Sequence, residues 1–530
     1  MSTLDRPKRT RLTGVLAAAL LAVTALTAAS PAQAAAARPA PTPLPANLET
    51  IRAAEATSLY GDPAIRPLET RKTSLITMGD SEISGEGVGN YEPGTHQLNP
   101  ENFCDRSLDQ AVHRVGIPAD VRYNVACSGG ASPHLIAGSG QKQWTEINQG
   151  DNLAIKARNT HIKLVWIVIG ANDAGGIEFG TVATDCATRR ILFQGPCWPT
   201  YSDTWAAKVA VSRQGVEASI DSVRRTMTDA GYIAGDYELV VMNYPSPGSP
   251  DVEDNPNFPG WYSGGCTLYL ADAAFARNKA VPLFSKGIRD GALAKGARFL
   301  DAGRLFDGHG VCEDVTWARG VYVETSLLPS SHAFRQSLHP NFAGHGAFAE
   351  CMTQMFNSGW ATATCVDPGS TSHGTLYNGF FTFRDLKSAD TGQCVDAEGY
   401  DSRNNTRLTS YACHGGRNQG FWQDPTRGSL HVELSHDRCV DVKGGTIAAG
   451  ADLILYNCHG GANQKFTVDG TKIHPTGRTD LCVSFAGAAS GSVLELAACS
   501  AARTNFNLST RNYANPVGYG HDDWIGSRVY

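Results

Sequence analysis

The sequence predicts a two-part chain: an α/β unit built on a parallel sheet, followed by an all-β unit made of three repeats. Three observations carry this reading. Five short runs rich in β-branched and aliphatic residues alternate with longer helix-capable stretches, the pattern of parallel strands joined by helical crossovers and covered on both faces. Four of those runs end in a polar or glycine-rich cluster. From Gln393 onward a unit of a little over forty residues recurs three times, each with a pair of cysteines, and a period of that length marks a repeat architecture.

The five runs are Leu75–Met78, Val121–Val125, Leu164–Ile169, Glu238–Met242 and Ala297–Leu300, with helix-capable stretches at Val211–Ala230 and Ala271–Gly287 among those between them. The first four are followed by Gly79-Asp80-Ser81, Ala126-Cys127-Ser128-Gly129-Gly130, Gly170-Ala171-Asn172-Asp173 and Asn243-Tyr244-Pro245. If the strands are parallel, these clusters share the carboxyl edge of the sheet, where ligands and chemistry collect. Further on, His339-Pro340-Asn341 precedes Phe342–Ala349, whose apolar residues recur at helical spacing. His339 is therefore expected just before a helix packed on the sheet.

Composition narrows the class. The chain has 530 residues, 18% charged and 42% hydrophobic, enough for two or three domains. A net charge of −6 and no basic stripe argue against a nucleic-acid partner. Arg6, Lys8, Arg9 and Arg11 precede an Ala/Leu-rich run, Gly14–Ala29, and the small-x-small site Ala32-Gln33-Ala34. Residues 1–34 thus read as a signal peptide and the protein as secreted and extracellular. The weak hydrophobicity of the run, and the Pro/Ala-rich stretch after it, argue against a stable membrane anchor. Lys8-Arg9 departs from the twin-arginine export motif. The 14 cysteines, all beyond the signal, read as disulfides in an exported chain. No Cys-x-x-Cys pair suggests zinc, and no metal or cofactor is expected.

Residues 35–72 read as linker and lead-in, 73–366 as the α/β domain, 367–376 as a small-residue linker, 377–510 as the repeat module and 511–530 as an unassigned tail. In the repeats, Gln393-Cys394-Val395-Asp396 aligns with Arg438-Cys439-Val440-Asp441 and Leu481-Cys482-Val483-Ser484. Tyr411-Ala412-Cys413-His414-Gly415-Gly416 aligns with Tyr456-Asn457-Cys458-His459-Gly460-Gly461 and a degenerate Ala497-Ala498-Cys499. The Asn418-Gln419 pair recurs as Asn463-Gln464. One cysteine pair per unit suggests the bridges Cys394–Cys413, Cys439–Cys458 and Cys482–Cys499.

A serine hydroxyl becomes a nucleophile only with a base in reach and donors for the oxyanion it creates. The clusters contain such a set. Ser81 would attack, His339 would carry its proton, and the N–H groups of Ser81 and Gly129 with the Asn172 amide would face the oxyanion. Singly, each is an ordinary turn residue; in this order, each after a strand, they form a constellation.

That constellation resembles the SGNH (GDSL) hydrolases. Ser81 in Gly-Asp-Ser, Gly129 after Asn124-x-x-Cys-Ser, Asn172 in Gly-x-Asn-Asp and His339 in His-Pro match the four family blocks. The likeness covers about residues 73–366. Gly79-Asp-Ser-x-x-Ser-Gly-Glu-Gly87, Tyr91-x-Pro-Gly94 and Cys104-x-Arg-Ser107 look most like the secreted bacterial esterase/lipase branch. The resemblance implies a flavodoxin-like three-layer α/β/α fold and carboxylic ester hydrolysis without cofactor. It also implies disulfides Cys104–Cys127, Cys186–Cys197, Cys266–Cys312 and Cys351–Cys365. The chain departs from the family at Gln336, where many members carry an aspartate that orients the histidine. Either a main-chain carbonyl near Gln336 accepts from the imidazole, as in some esterases of this branch, or a carboxylate such as Glu350 or Asp301 serves.

The repeat module, about residues 377–508, resembles ricin B-type (family 13 carbohydrate-binding) β-trefoils. That likeness implies sugar sites at Asp396, Tyr411, Asn418 and Gln419 and at Asp441, Tyr456, Asn463 and Gln464. In the third repeat Ser484, Ala497 and Thr504 replace the key positions, and that site is expected to be inactive. The alternative is that the Asn-Gln pairs only hold the trefoil core. The expectation is a secreted esterase or lipase held to polysaccharide by a lectin module, with an ester as substrate. Polysaccharide O-acetyl esterase is the near alternative. A carbohydrate-binding protein with an inert α/β domain is the rival of another class, and a peptidase or other acyltransferase is a third reading.

Overall fold

Alternating buried side chains would be expected on a sheet with one wet face. Strands β1 (Thr73–Gly79), β2 (Val121–Asn124), β3 (His161–Val168), β4 (Glu238–Met242) and β5 (Arg298–Asp301) form the centre of the first domain. In β1, β3 and β4 successive residues are buried, so both faces are covered, as a parallel sheet requires. The computed structural model describes residues 38–248, 266–311, 313–321, 335–369 and 373–510. The expected signal peptide 1–34, the tail 511–530 and Cys312 of the expected Cys266–Cys312 bridge lie outside the described residues.

Two further strands, β6 (Thr362–Val366) and β7 (Thr375–Asn378), complete a sheet of order β2-β1-β3-β4-β5-β6-β7. All neighbours are parallel except β6 and β7. The helices Gln149–Asn159, Trp205–Asp229, Val281–Ala294 and Phe342–Ser358 lie in the crossovers. The chain steps from β1 out to β2, then returns to pair β3 on the other side of β1. That reversal is a topological switch point, and it opens a crevice beyond the carboxyl ends of β1 and β3. The core under it includes Trp166, Leu75, Ile76, Ile167 and Val241, each fully buried.

Two stretches at the expected boundaries carry regular structure. Residues 35–72, read as linker and lead-in and as weakly helical after the Pro-rich part, contain the helix Ala46–Tyr60, which docks on Gln149–Asn159. Arg52 Nη1 donates to Asn159 Oδ1 at 3.2 Å, Tyr60 donates to Asn159 O at 2.9 Å, and Lys156 pairs with Glu55 at 2.7 Å. Leu48, Arg52 and Ala56, four residues apart on one face, are the helix's buried side chains. Residues 375–378, expected as linker end and module start, are the antiparallel edge strand of the α/β sheet. Four residues without period or repeat signature leave no mark in the sequence.

The second domain is all antiparallel among its described strands. Apolar residues of the three repeats converge in one core that includes Val395, Val440, Val483, Phe421, Phe466 and Phe506. Cys394–Cys413, Cys439–Cys458 and Cys482–Cys499 are bonded, one per repeat. The two domains meet through buried polar groups. Arg277 reaches Asp307 Oδ1 at 3.0 Å and Ser435 Oγ at 2.6 Å, and Arg417 donates to Arg277 O at 2.9 Å. His436 N donates to Asp307 Oδ2 at 2.8 Å, so Asp307 accepts from both domains.

Candidate functional site

Strand β1 ends at Gly79, where a side chain is sterically forbidden: a Cβ would lie 1.9 Å from Val168 O of β3. Asp80 then caps the short helix Ser81–Ser84, its carboxylate accepting from Glu82 N at 3.1 Å. Tyr244, in the cluster after β4, donates its hydroxyl to Asp80 Oδ2. Burial pushes the Asp80 carboxyl up to about 7. The Gly-Asp-Ser turn is thus locked from β3 and β4, and it delivers Ser81 to the switch-point crevice.

Ser81 Oγ lies 2.7 Å from His339 Nε2. His339 Nδ1 lies 3.0 Å from Ser337 O. A carbonyl can only accept, so Nδ1 carries the proton and Nε2 of the neutral ring offers its lone pair to the Ser81 O–H. Leu338, between these residues, adopts a left-handed φ of 66°, uncommon for a branched residue. It is held by Leu338 N to Arg319 O at 2.9 Å and Arg319 N to His339 O at 2.8 Å. Burial pushes the His339 imidazole down to about 4, because the charged ring would lose its solvent there.

The acceptor for His339 is therefore the carbonyl of Ser337, one residue beyond Gln336. Asp301 and Glu350 do not serve. Asp301 Oδ1 accepts from Asn243 Nδ2 at 2.7 Å and Gly303 N at 3.0 Å. Glu350 faces His373 at 3.1 Å and Gly374 N at 2.9 Å.

Gly129 and Asn172 line the same cleft as Ser81 and His339. Gly129 has φ 76° and open space where a Cβ would be. Cys104–Cys127 is bonded beside it, and Gly130 N donates to Cys127 O at 2.8 Å. Asn172 Nδ2 donates to Gly130 O at 3.0 Å, tying the β2 and β3 loops. The adjacent Asp173 takes Ser132 N at 2.7 Å and Ser132 Oγ at 2.8 Å, so this carboxylate braces the loop. The bonds Cys186–Cys197 and Cys351–Cys365 are also present.

Two hollows meet at Ser81, Asn172 and His339. One is apolar, walled by Ile177, Val182, Trp205, Leu268, Phe275 and Phe284. The other is more polar and includes Glu86, Ser128, Gly129, Trp144, Thr184 and Arg335. An apolar slot thus lies on one side of the histidine-bonded serine and, on the other, a cleft that carries the polar side chains of Glu86, Ser128, Thr184 and Arg335.

Glu86 is the residue that sequence reasoning overlooked. It stands in the Gly-Glu-Gly segment whose motif was legible, but its role was not. It is buried, bonded through Oε2 to the Ser128 hydroxyl, and its Oε2 lies 3.9 Å from His339 Nε2. Desolvation, with Asp105 nearby, pushes its carboxyl up to about 8.

In the second domain, Asp396 Oδ2 accepts from Asn418 Nδ2 at 2.9 Å, Gln419 Nε2 at 2.8 Å and lies 3.2 Å from His414 Nε2. Asp441 Oδ2 repeats this with Asn463 at 2.8 Å, Gln464 at 2.8 Å and His459 at 3.3 Å. Tyr411 and Tyr456 stand exposed nearby, at 52% and 37%, and each packs against the histidine of its repeat. The histidines of the Cys-His-Gly-Gly segments were visible as a repeat but not as members of these clusters. In the third repeat Ser484 donates to Phe485 O and Ala502 O, and Thr504 donates to Ala501 O at 2.9 Å. These are contacts to main chain within the fold.

Residues 382–508 match the family model of the ricin-type beta-trefoil lectin domain. No curated protein matches the chain. Among solved structures, an extracellular lipase from Streptomyces rimosus is 25% identical with a TM-score of 0.34, covering 54% of this chain and 99% of that one. A phospholipase A1 from Streptomyces albidoflavus is 22% identical with a TM-score of 0.33, covering 53% and 99%. The C-terminal half of an earthworm R-type lectin, solved with GalNAc, is 15% identical with a TM-score of 0.22, covering 24% and 99%.

Proposed function

We propose that the protein is a secreted serine carboxylic ester hydrolase, held to glycan by its trefoil. The single observation that carries the reading is the Ser81 Oγ to His339 Nε2 contact of 2.7 Å, at the junction of an apolar hollow and a second, more polar one. His339 accepts the Ser81 proton as Oγ attacks the ester carbonyl. The Ser81 and Gly129 N–H groups and the Asn172 amide stabilise the oxyanion. Collapse returns the proton to the leaving alcohol and leaves an acyl group on Ser81. Water then repeats the sequence, releasing the acid. The imidazolium is steadied by the Ser337 carbonyl, so the machinery is a Ser–His pair with a main-chain orienter.

The apolar hollow favours longer acyl groups than acetate, and so favours esterase or lipase chemistry over polysaccharide deacetylation. Purified protein assayed on p-nitrophenyl acetate, butyrate and palmitate, with acetylated xylan in parallel, tests this. A clear preference for acetate and acetylated xylan would overturn the acyl-pocket assignment. Val182→Trp, which fills part of the slot, is expected to lower palmitate turnover relative to butyrate by about tenfold. The inert-domain reading predicts that a fluorophosphonate leaves Ser81 unlabelled.

The base must be neutral to work. With the His339 imidazole pushed down to about 4, activity is expected to persist well below pH 6.5 and to fall only as pH drops through about 4. A kcat/KM profile on butyrate measures it; a limb at the ordinary histidine value would contradict the burial argument.

A further inference from the structure

We propose that Glu86 is a positioning residue for deacylation: it holds the water that His339 deprotonates. The inference rests on the Ser–His reading above and extends it to the second half-reaction. Glu86 lines the cleft that carries Ser128, Thr184 and Arg335 and not the apolar slot; with the acyl group in the slot, as proposed above, the cleft is left for the departing alcohol and the incoming water. Its Oε2 is 3.9 Å from His339 Nε2. One water can sit at hydrogen-bond distance, about 2.8 Å, from both atoms at once.

The surrounding chain is built to hold this carboxyl still. Gly85 and Gly87 flank it with φ 99° and 91°. A Cβ on Gly85 would lie 2.6 Å from Ser107 Cβ, so the turn that directs Glu86 inward needs glycine there. Arg319, whose N–H holds His339 O, also donates to Gly87 O. Glu86 Oε2 meets the Ser128 hydroxyl beside Gly129. The nucleophile helix, the Gly129 loop and the His339 loop are thus joined through this segment. Asp105 and Asp80 disfavour a charge on Glu86, and Arg335 favours it. A neutral carboxyl adds no negative charge beside the oxyanion, yet still accepts the second O–H of a water.

In the step assigned to it, water donates one proton to His339 Nε2 and its oxygen bonds to the acyl carbon. The acyl carbon–Ser81 Oγ bond then breaks, Oγ takes the proton back from Nε2, and the carboxylic acid leaves. Glu86 exchanges no proton in this sequence; it fixes the line of attack.

The test is stopped-flow hydrolysis of p-nitrophenyl butyrate by the full chain and by Glu86→Ala and Glu86→Gln. Glu86→Ala is expected to show a p-nitrophenol burst at a rate within threefold of wild type, then a steady state slower by about 10²-fold. The Ser81 butyryl adduct should accumulate by mass spectrometry. Glu86→Gln, which keeps a carbonyl acceptor and the fold, should lie between. Equal loss of burst and steady state in both variants, or unchanged deacylation, would overturn the proposal. Wild-type protein with neither turnover nor fluorophosphonate labelling at Ser81 would instead sink the hydrolase reading itself.

Discussion

Ser81→Ala is expected to lower kcat/KM on p-nitrophenyl butyrate by about 10⁴-fold or more. The Ala variant keeps Asp80 as cap and loses only the hydroxyl that faces His339 Nε2 at 2.7 Å. Ser337, the other serine that meets His339, does so through its main-chain carbonyl at Nδ1 and not at the base nitrogen Nε2 that faces Ser81. His339→Ala should cost a comparable factor, and the two together little more, because neither group works without the other. The melting temperature should barely move, since Ser81 is only half buried and its hydroxyl makes no core contact. Loss of activity with an unchanged melt would tie the effect to chemistry. Retained activity would remove Ser81 from the mechanism.

Asp396→Ala combined with Asp441→Ala is expected to weaken retention on insoluble glycan, with xylan and galactose-agarose as probes, by about 10²-fold or more. Each aspartate gathers two amide donors on Oδ2. Among the described residues, Oδ1 of each makes no hydrogen bond, which leaves an acceptor for a sugar hydroxyl beside the exposed ring of Tyr411 or Tyr456. Single variants should retain one site and lose mainly avidity, because two sites on one rigid module reinforce each other. Ser484→Ala should leave retention unchanged, as the Ser484 hydroxyl is spent on main-chain carbonyls. Unaltered retention in the double variant would favour a purely structural role for the Asp–Asn–Gln clusters. Hydrolysis of a small soluble ester should be the same in all of these variants.

Much of the architecture was legible because its causes are local. Aliphatic runs ending in Gly-Asp-Ser or Gly-Ala-Asn-Asp mark strands and the turns after them, and parallel pairing then sends those turns to one edge. Strands β1 to β5 fall where the runs do, within a few residues. Strands β6 and β7 are short and sit beside the small-residue stretch that reads as linker. The helix Ala46–Tyr60 buries only the small set Leu48, Arg52 and Ala56 and adds the polar contacts of Arg52, Glu55 and Tyr60, so its weak helical signal carries no mark of its membership of the domain.

What the sequence determined by itself was therefore composition, order and period: two units, clusters at strand ends, and three repeats each with a cysteine pair. These depend on short-range patterning and on the handedness of crossovers. Tertiary structure alone decided which atoms meet. It placed the Ser337 carbonyl against His339 Nδ1 and assigned Asp301 and Glu350 to other partners. It brought Glu86 to 3.9 Å from His339 Nε2 across more than two hundred residues of chain, and it set Asp307 between the two domains. Such contacts join groups far apart in sequence through backbone carbonyls and side-chain rotamers. Neither follows from residue identity until the packed core fixes the distances between strands.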